Sequence, residues 1–359
     1  MTKHTYLKKH FPMLRTREEI LEDIKNKKHL SILYESWKEN EQEEFLDFCT
    51  GVKGVKMLYD TFFKEIFNVE YTPNRLSDFL SAILGQRVKI LRVLPNDTTR
   101  IADENALLIT DIVVELEDGS IANVEIQKIG YMFPGERAAC YSADLLLRQY
   151  KRVRDERQKK FTYRDVKPVY VIVLFEKSPA EFQQFKENYI HYLEAQSDTG
   201  IKLNLLQKYY FVTLDIFKKT LHNKGVTSKK DAWLTFLCTD EPKYIEELIT
   251  LYPEFKALYE DVYQLCLNIE KVMDMFSTEL RMLDKNTTQF MIDDMQETIN
   301  EQQAKLDVQQ VQLDEQLDKL NIQQVQLNEQ QAKLDEKEQL IQELQEQLKE
   351  YKTKAFKNS

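Results

Sequence analysis

The chain has 359 residues, 42% of them hydrophobic and 11% aromatic, which excludes a wholly disordered protein. Its 50 Lys and Arg against 60 Asp and Glu give a formal net charge of −10, which excludes a protein that coats nucleic acid by bulk attraction but leaves room for a local basic surface. The sequence shows no signal peptide and no apolar run of about 18 residues. It therefore predicts a cytoplasmic protein that does not enter a membrane. Four widely spaced cysteines predict neither a zinc site nor disulfides: Cys49, Cys140, Cys238 and Cys266.

The first 85 residues are predicted to be helical. Residues 1–50 read as a charged N-terminal helical segment that ends at Gly51. An apolar stripe then predicts a helix over VKMLYDTFFKEIFN (55–68). A further helix, PNRLSDFLSAIL, begins at Pro73, which suits the first helical turn, and stops at Gly85.

Five segments rich in β-branched and aromatic residues are predicted strands, and they are bounded by turn residues. A helix from Glu136 to about Arg157 separates the third from the fourth, so the chain is predicted to form an α/β fold with a mixed sheet. Amphipathic helices follow from Ile216 to about Asp284. The predicted strands are residues 88–94, 106–116, 121–127, 168–175 and 208–215.

The C-terminal region is predicted to be one long Gln-rich helix. It contains no Gly after Gly225 and no Pro after Pro253, and the 14-residue unit at 308–321 is nearly repeated at 322–335. A marginal coiled coil and a solvated single helix remain equal alternatives, because the second core position of most heptads is Gln. An aliphatic residue recurs every seventh position: Ile292, Ile299, Leu306, Leu313, Leu320, Leu327, Leu334, Ile341 and Leu348.

The segment from Leu107 to Gln127 is predicted to be a hairpin that turns at Glu117-Asp118-Gly119. If the loop has three residues with Gly119 in the left-handed conformation, Asp111 lies opposite Glu125 and Gln127 shares their face. Carboxylates directly opposite each other repel unless a cation lies between them, so this register suggests a site for Mg²⁺ or Mn²⁺. The alternative is that both carboxylates are simply solvated.

Three consecutive blocks, YDTFFKEIF, TDIVVELEDGSIANVEIQ and RAACYSADLLLRQY, resemble the PD-(D/E)xK nuclease family transposases, or recombination-promoting nucleases. The similarity covers roughly residues 52–285. It implies a restriction-endonuclease-like αβββαβ core in which Asp111 and Glu125 hold the metal and help to cleave DNA. The motif Lys is replaced by Gln127, which can orient a water or phosphate oxygen but carries no positive charge.

Two helices supply further candidate site residues. Asp60 and Lys64 share one helix face, and the resemblance implies that an acidic residue of this helix lies near the metal. On the helix after the hairpin, Arg137, Tyr141 and Arg148 share one side and are expected to contact the DNA backbone. The segment from 137 to 160 has eight Lys or Arg and three acidic residues, so it supplies a local basic surface, although a solvated charged helix remains the alternative.

The leading hypothesis is therefore a Mg²⁺-dependent DNA endonuclease of mobile-element type that dimerises through its tail. The alternative is a nuclease fold that has lost catalysis and serves as an interaction module, which the replacement at Gln127 favours. The predicted division is an N-terminal helical segment (1–50), a nuclease-like core (51–215), a helical extension (216–285), a Gln-rich coiled coil (286–351) and a disordered tail (352–359).

Overall fold

A computed structural model describes residues 6–94, 112–128 and 134–357, and in these ranges the chain forms twelve α-helices and six strands. The helices are α1 (Arg17–Asn26), α2 (Lys28–Ser36), α3 (Glu39–Thr50), α4 (Asp60–Ile66), α5 (Pro73–Leu84), α6 (Pro134–Arg157), α7 (Ala180–Gln183), α8 (Leu214–Lys224), α9 (Lys229–Cys238), α10 (Pro242–Leu251), α11 (Glu254–Leu267) and α12 (Ile269–Lys357). The strands are β1 (Ile90–Val93), β2 (Ile112–Leu116), β3 (Ile121–Gln127), β4 (Val169–Phe175), β5 (Ile190–Leu193) and β6 (Gln207–Thr213).

The strands form one mixed sheet in the order β1-β2-β3-β4-β6-β5. The three central strands β3, β4 and β6 are parallel, and the outer pairings are antiparallel. This arrangement confirms the predicted α/β fold with its αβββαβ order. The strand β5 was not predicted, because IHYL is only four residues long and its side chains are half-buried or exposed on the sheet edge.

The sheet buries different side chains on its two faces, as strand alternation requires. One face joins the large core with the N-terminal and C-terminal helices, through residues such as Val114, Val124 and Ile172. The other face packs against α6 through Val113, Ile121, Val169, Val171, Val173, Phe175 and Phe211.

Helix α6 lies on this second face of the sheet. Ala138 and Leu145 are buried there, and Leu146 packs beside them. Near the end of the helix, the buried Gln149 amide donates to the carbonyl of Gly119 at 3.0 Å and accepts from the Lys167 backbone at 2.8 Å. The helix is therefore fixed to the hairpin turn and to the chain that enters β4.

The N-terminal helices share the large core with the rest of the chain. Thr16 caps α1 through a reciprocal capping box with Glu19, which satisfies amide groups that the first helical turn leaves unbonded. Aromatic rings from α3 and the preceding loop surround Phe276 of α12, with ring centroids 5.1 to 5.8 Å away: Trp37, Phe45 and Phe48. The start of α12 is thus part of the core.

The chain divides into two compact units, Met1–Met291 and Ile292–Ser359. In the second unit, α12 continues to Lys357 because residues 352–357 contain no helix breaker, although the sequence predicted disorder from residue 352. The aliphatic residues of the heptad pattern are at least half exposed, as at Leu313, Leu320 and Leu327. No helix among the described residues is long and apolar enough to span a membrane.

Candidate active site

The hairpin of β2 and β3 has the predicted loop and register. Gly119 has a φ of 85°, in the left-handed region that a three-residue loop requires, and its amide donates to the Leu116 carbonyl at 2.9 Å. Ile112 pairs with Val124, as predicted. Asp111 precedes the described part of β2, so its predicted pairing with Glu125 lies outside the described residues.

Strand β3 places three polar side chains on the face that α6 covers. Asn123, Glu125 and Gln127 alternate with Val124 and Ile126, which belong to the opposite core. Glu125 is 4% exposed, and its Oε1 accepts a hydrogen bond from Gln127 Nε2 at 2.9 Å. The prediction that Glu125 and Gln127 share a face is therefore confirmed.

Helix α6 adds Tyr141 and Arg137 to this cluster. The Tyr141 side chain is 2% exposed and its hydroxyl interacts with the Glu125 carboxyl. Arg137 Nη2 donates to the Tyr141 hydroxyl at 3.0 Å. Tyr141 was expected to contact the DNA backbone, but the structure places it in the interior against Glu125.

Burial controls the ionisation of both Glu125 and Tyr141. Removal from water raises the pKa of Glu125 to about 7, although the hydrogen bond from Gln127 and the charge of Arg137 act in the opposite direction. Burial and the nearby Glu125 charge also raise the pKa of Tyr141 well above its usual value. Tyr141 therefore remains a neutral hydrogen-bond donor near physiological pH, while Glu125 is close to its titration midpoint.

The oxygen atoms of this cluster fit a hard cation. Glu125 Oε2 and Gln127 Oε1 are buried, and neither has a hydrogen-bond partner among the described residues. An unsatisfied buried oxygen is unfavourable, and carboxylate and amide oxygens are ligands that Mg²⁺ accepts together with water. The described part of the chain contains no group of three or more His, Cys, Asp or Glu side chains suited to a metal.

Two predicted residues form a pair on α4. Lys64 Nζ donates to Asp60 Oδ2 at 2.9 Å, in the i, i+4 geometry that the sequence predicted. Asp60 Oδ1 is a buried oxygen with no hydrogen-bond partner in the described ranges. The neighbouring Phe62 and Phe63 are buried in the core on the side of the sheet away from α6.

Two other cations of this region have carboxylate partners. Arg148, one of the predicted DNA contacts, lies 2.6 Å from Asp144 on α6. Strand alternation places Lys128 on the face of β3 opposite Gln127, and there it forms a buried ion pair with Glu279 of α12, with its Nζ 4.7 Å from the centre of the Tyr59 ring. Lys128 is therefore directed towards the core opposite α6, as strand alternation requires.

Asn123 is a buried polar residue on the same face of β3 as Glu125 that the sequence did not single out. Its side chain is completely buried, and both amide atoms lack a partner among the described residues. It lies two positions before Glu125 on the same face of β3. The alternation of polar residues in NVEIQ was the available indication, because a strand between two covered faces is normally apolar throughout.

We predict that Glu125→Gln stabilises the metal-free protein at high pH. Because the folded-state pKa of about 7 exceeds the usual value of 4.5, the folded state binds more protons between these values and loses stability as the pH rises. The substitution removes this loss, and its advantage in unfolding free energy should grow from near zero at pH 4.5 to about 2–4 kcal/mol at pH 8. Urea unfolding in EDTA measures it, with the exposed Glu22→Gln as the control. Parallel pH profiles for wild type and Glu125→Gln would contradict the prediction.

The mixed sheet, the αβββαβ order and the buried carboxylate on the third strand define a protein of the α/β restriction-endonuclease-like class. The chain belongs to the PD-(D/E)XK nuclease family transposases, whose family model matches residues 57–288. The membership indicates a function of nuclease or transposase type. No curated protein and no solved structure matches the chain.

Proposed function

We propose that the protein is a metal-dependent DNA endonuclease of the mobile-element or recombination type, which hydrolyses phosphodiester bonds. The observation that carries the proposal is the buried Glu125 carboxylate, whose Oε2 has no partner in the described ranges and which lies beside Gln127 and Tyr141. Such a group is unfavourable for folding alone, so its presence on the central strand is better explained by binding and chemistry.

Asp111 and Glu125 would hold Mg²⁺ or Mn²⁺. The assignment of Asp111 depends on the register of the hairpin, and the residue pairs from Ile112 to Glu115 have the required register. When bound, the ion would activate a water molecule and would neutralise charge on the scissile phosphate. Gln127 orients Glu125 through its amide, and its Oε1 is directed to accept a hydrogen bond from water or to join the metal ligands.

The residues of α6 and α4 would act around this centre. Tyr141 would keep Glu125 in place through a hydrogen bond from its hydroxyl, and it is proposed as a positioning residue because its ring is buried. Arg137 supplies the positive charge that Gln127 lacks, and Arg148 contacts the DNA backbone. Asp60, with its buried Oδ1 and its cationic partner Lys64, would serve as an outer ligand because the family resemblance implies an acidic residue there, although α4 packs on the side of the sheet away from α6.

Nicking of supercoiled plasmid by the purified chain tests the proposal. Wild type is expected to nick DNA with Mg²⁺ or Mn²⁺ and to stop when EDTA is added. Asp111→Ala should abolish nicking. Cleavage that survives Asp111→Ala, or the absence of cleavage with every divalent ion, would exclude this enzyme mechanism.

The second candidate is a catalytically inactive interaction module with a nuclease fold. The replacement of the motif Lys by Gln127 favours it, since no lysine follows Glu125 on the same face. Calorimetric titration with Mn²⁺ distinguishes the two, because an inactive relic should take up no ion that depends on Asp111 and Glu125.

We also propose that the protein forms a homodimer through the coiled coil at 286–351. The exposed heptad aliphatics support this, because a single helix leaves them in water. Five Gln side chains donate to Asp or Asn four residues ahead within the same helix: Gln296, Gln303, Gln310, Gln324 and Gln331. These amides are therefore satisfied without a second chain, and the aliphatic column is left as the surface that needs one.

We predict that replacing heptad leucines separates the dimer. The triple variant Leu313→Asn/Leu320→Asn/Leu327→Asn should sediment as a monomer, since three apolar layers are lost. The matched control replaces equally exposed aliphatics outside the heptad column, Val308, Val311 and Val325, and should remain dimeric. A monomeric wild type, or equal dissociation of both variants, would contradict the dimer.

A cytoplasmic location is proposed with the endonuclease. Its support is that the four cysteines are free thiols, three of them buried, as expected of a chain that folds under reducing conditions.

A further inference from the structure

The end of α6 carries a compact cluster of aromatic rings, formed by Tyr150, Phe161 and Tyr163. The rings of Tyr150 and Tyr163 are stacked, with an interplanar angle of 11° and centroids 6.1 Å apart. Phe161 meets both rings edge-on at 5.5 Å. Tyr163 is 78% exposed while Tyr150 and Phe161 are half-buried, so the cluster presents the Tyr163 ring to solvent.

A dense group of positive charges surrounds these rings. Only Arg157 of this group has a carboxylate partner in the described part of the chain, Asp165 at 3.8 Å. Residues 151–167 contain only three acidic residues, Asp155, Glu156 and Asp165. The exposed cationic side chains between 151 and 167 are Lys151, Arg154, Arg157, Lys159, Lys160, Arg164 and Lys167.

The surface is held in a fixed shape. Arg154 donates to the Tyr150 hydroxyl at 2.8 Å, which ties one cation to the stacked rings. Gln158 has a φ of 48°, and this left-handed residue turns the chain so that Phe161 returns against Tyr150. The Thr162 amide donates to Asp165 at 2.8 Å and closes the turn that carries Tyr163.

We propose that this aromatic and basic surface binds single-stranded DNA, with an unpaired base stacked on Tyr163 and phosphates held by the neighbouring Lys and Arg. The inference rests on the proposed function for the choice of DNA as the nucleic acid. Exposed aromatic rings beside unpaired cations are the two elements that single-strand binding requires, because every base has a flat face and every linkage a negative charge. A duplex keeps its bases stacked on one another and has no base to offer Tyr163.

This surface is distinct from the candidate active site. Arg137 and Arg154 are 17 residues apart on α6, which corresponds to about 26 Å along the helix axis at 1.5 Å per residue. A strand that reaches both would extend along the whole of α6. The protein would therefore hold an unpaired segment at some distance from the bond that it cleaves.

Equilibrium binding of the full chain to fluorescein-labelled oligothymidylate in EDTA tests the stacking. Tyr163→Ala is expected to weaken binding about 5- to 100-fold, the range for loss of one base–aromatic stack. Tyr163→Trp and Tyr163→Phe should retain affinity. Tyr71→Ala is the matched control, because Tyr71 is 81% exposed and lies outside the aromatic cluster, and it should change affinity less than twofold.

The salt dependence tests the phosphate contacts. Each phosphate contact on a single strand contributes about 0.7 to the slope of log affinity against log salt, so Lys159→Ala/Lys160→Ala/Arg164→Ala should reduce the slope by about 2. The control, Lys25→Ala/Lys28→Ala, removes exposed cations from the N-terminal helices and should leave the slope unchanged.

Failure of this inference is distinguishable from failure of the endonuclease. The inference is overturned if Tyr163→Ala and Tyr71→Ala bind alike, if Trp and Phe do not retain affinity, or if Tyr163→Ala weakens blunt duplex binding equally. The measurement needs no divalent ion, so it does not depend on the proposed metal site. A chain that binds but never nicks keeps this inference and loses the catalytic one.

Discussion

Glu125→Gln is expected to lower plasmid nicking by about a thousandfold or more. The substitution keeps the size of the side chain but removes the negative charge that would hold the metal, and loss of an outer partner of a metal ligand alone typically costs 10- to 100-fold. Tyr141→Phe removes such an outer partner and should fall in that smaller range. Initial nicking rates with excess Mg²⁺ measure both effects.

Two controls make this loss interpretable. Glu125→Gln should be at least as stable as wild type at pH 8, because it removes a buried charge, so lost activity cannot be attributed to unfolding. Exposed Glu22→Gln should nick at the wild-type rate. Retention of more than a tenth of wild-type activity in Glu125→Gln would show that this carboxylate does not hold the metal. For Tyr141→Phe, raised Mn²⁺ should partly restore the rate if the residue acts by positioning Glu125.

Glu279→Ala is expected to destabilise the protein by about 3–5 kcal/mol. Glu279 is completely buried and pairs with Lys128, which is 8% exposed, so the substitution leaves a buried ammonium without its carboxylate. The double substitution Lys128→Met/Glu279→Met removes both charges at similar volume and should recover most of the lost stability. Urea denaturation measures the free energies of unfolding of the wild type, of Glu279→Ala and of the double variant.

The Lys256 and Glu260 pair on α11 is the matched control. Its atoms are 3.7 Å apart and the side chains are 51% and 42% exposed, so Glu260→Ala should change stability little. If Glu279→Ala changes stability as little as Glu260→Ala, or if the double substitution is as damaging as Glu279→Ala alone, the instability does not come from an unpaired buried Lys128 charge.

The Lys128–Glu279 pair lies directly after the end of β3. Lys128 directly follows Gln127, and Glu279 lies on the part of α12 that packs in the core. The pair therefore fixes the end of the strand that carries the candidate site. No local pattern predicted it, because its two members are about 150 residues apart in the sequence.

Local rules were sufficient for the strand that carries Glu125 and Gln127. The bounds of β3 match the prediction residue for residue, since its apolar and β-branched residues directly follow the turn at Gly119. The sequence left the loop length conditional, and the structure has the three-residue loop with Gly119 in the left-handed conformation, which gives the hairpin the register expected for that loop. Alternation then placed Glu125 and Gln127 on one face without knowledge of anything else in the molecule.

The burial and the contact partners of a side chain could not be predicted in this way where they depend on segments distant in the sequence. Spacing on α6 placed Arg137, Tyr141 and Arg148 on one side, but it did not tell that Tyr141 is enclosed against Glu125 while Arg148 pairs with Asp144. The packing of α6 across the sheet decides this. The short edge strand β5 was missed for a related reason, because its pairing with β6 and not its own composition makes it a strand.

The sequence by itself determined the family resemblance, the αβββαβ order, the common face of Glu125 and Gln127, and the heptad column of the tail, because each depends on residues close together in the chain. Only the tertiary structure decided that Glu125 is buried with a pKa of about 7, that Lys128 is paired with Glu279, and that Tyr150, Phe161 and Tyr163 form one cluster with Tyr163 exposed. Burial, ionisation and ring stacking depend on what packs around a side chain, and that is set by the whole fold.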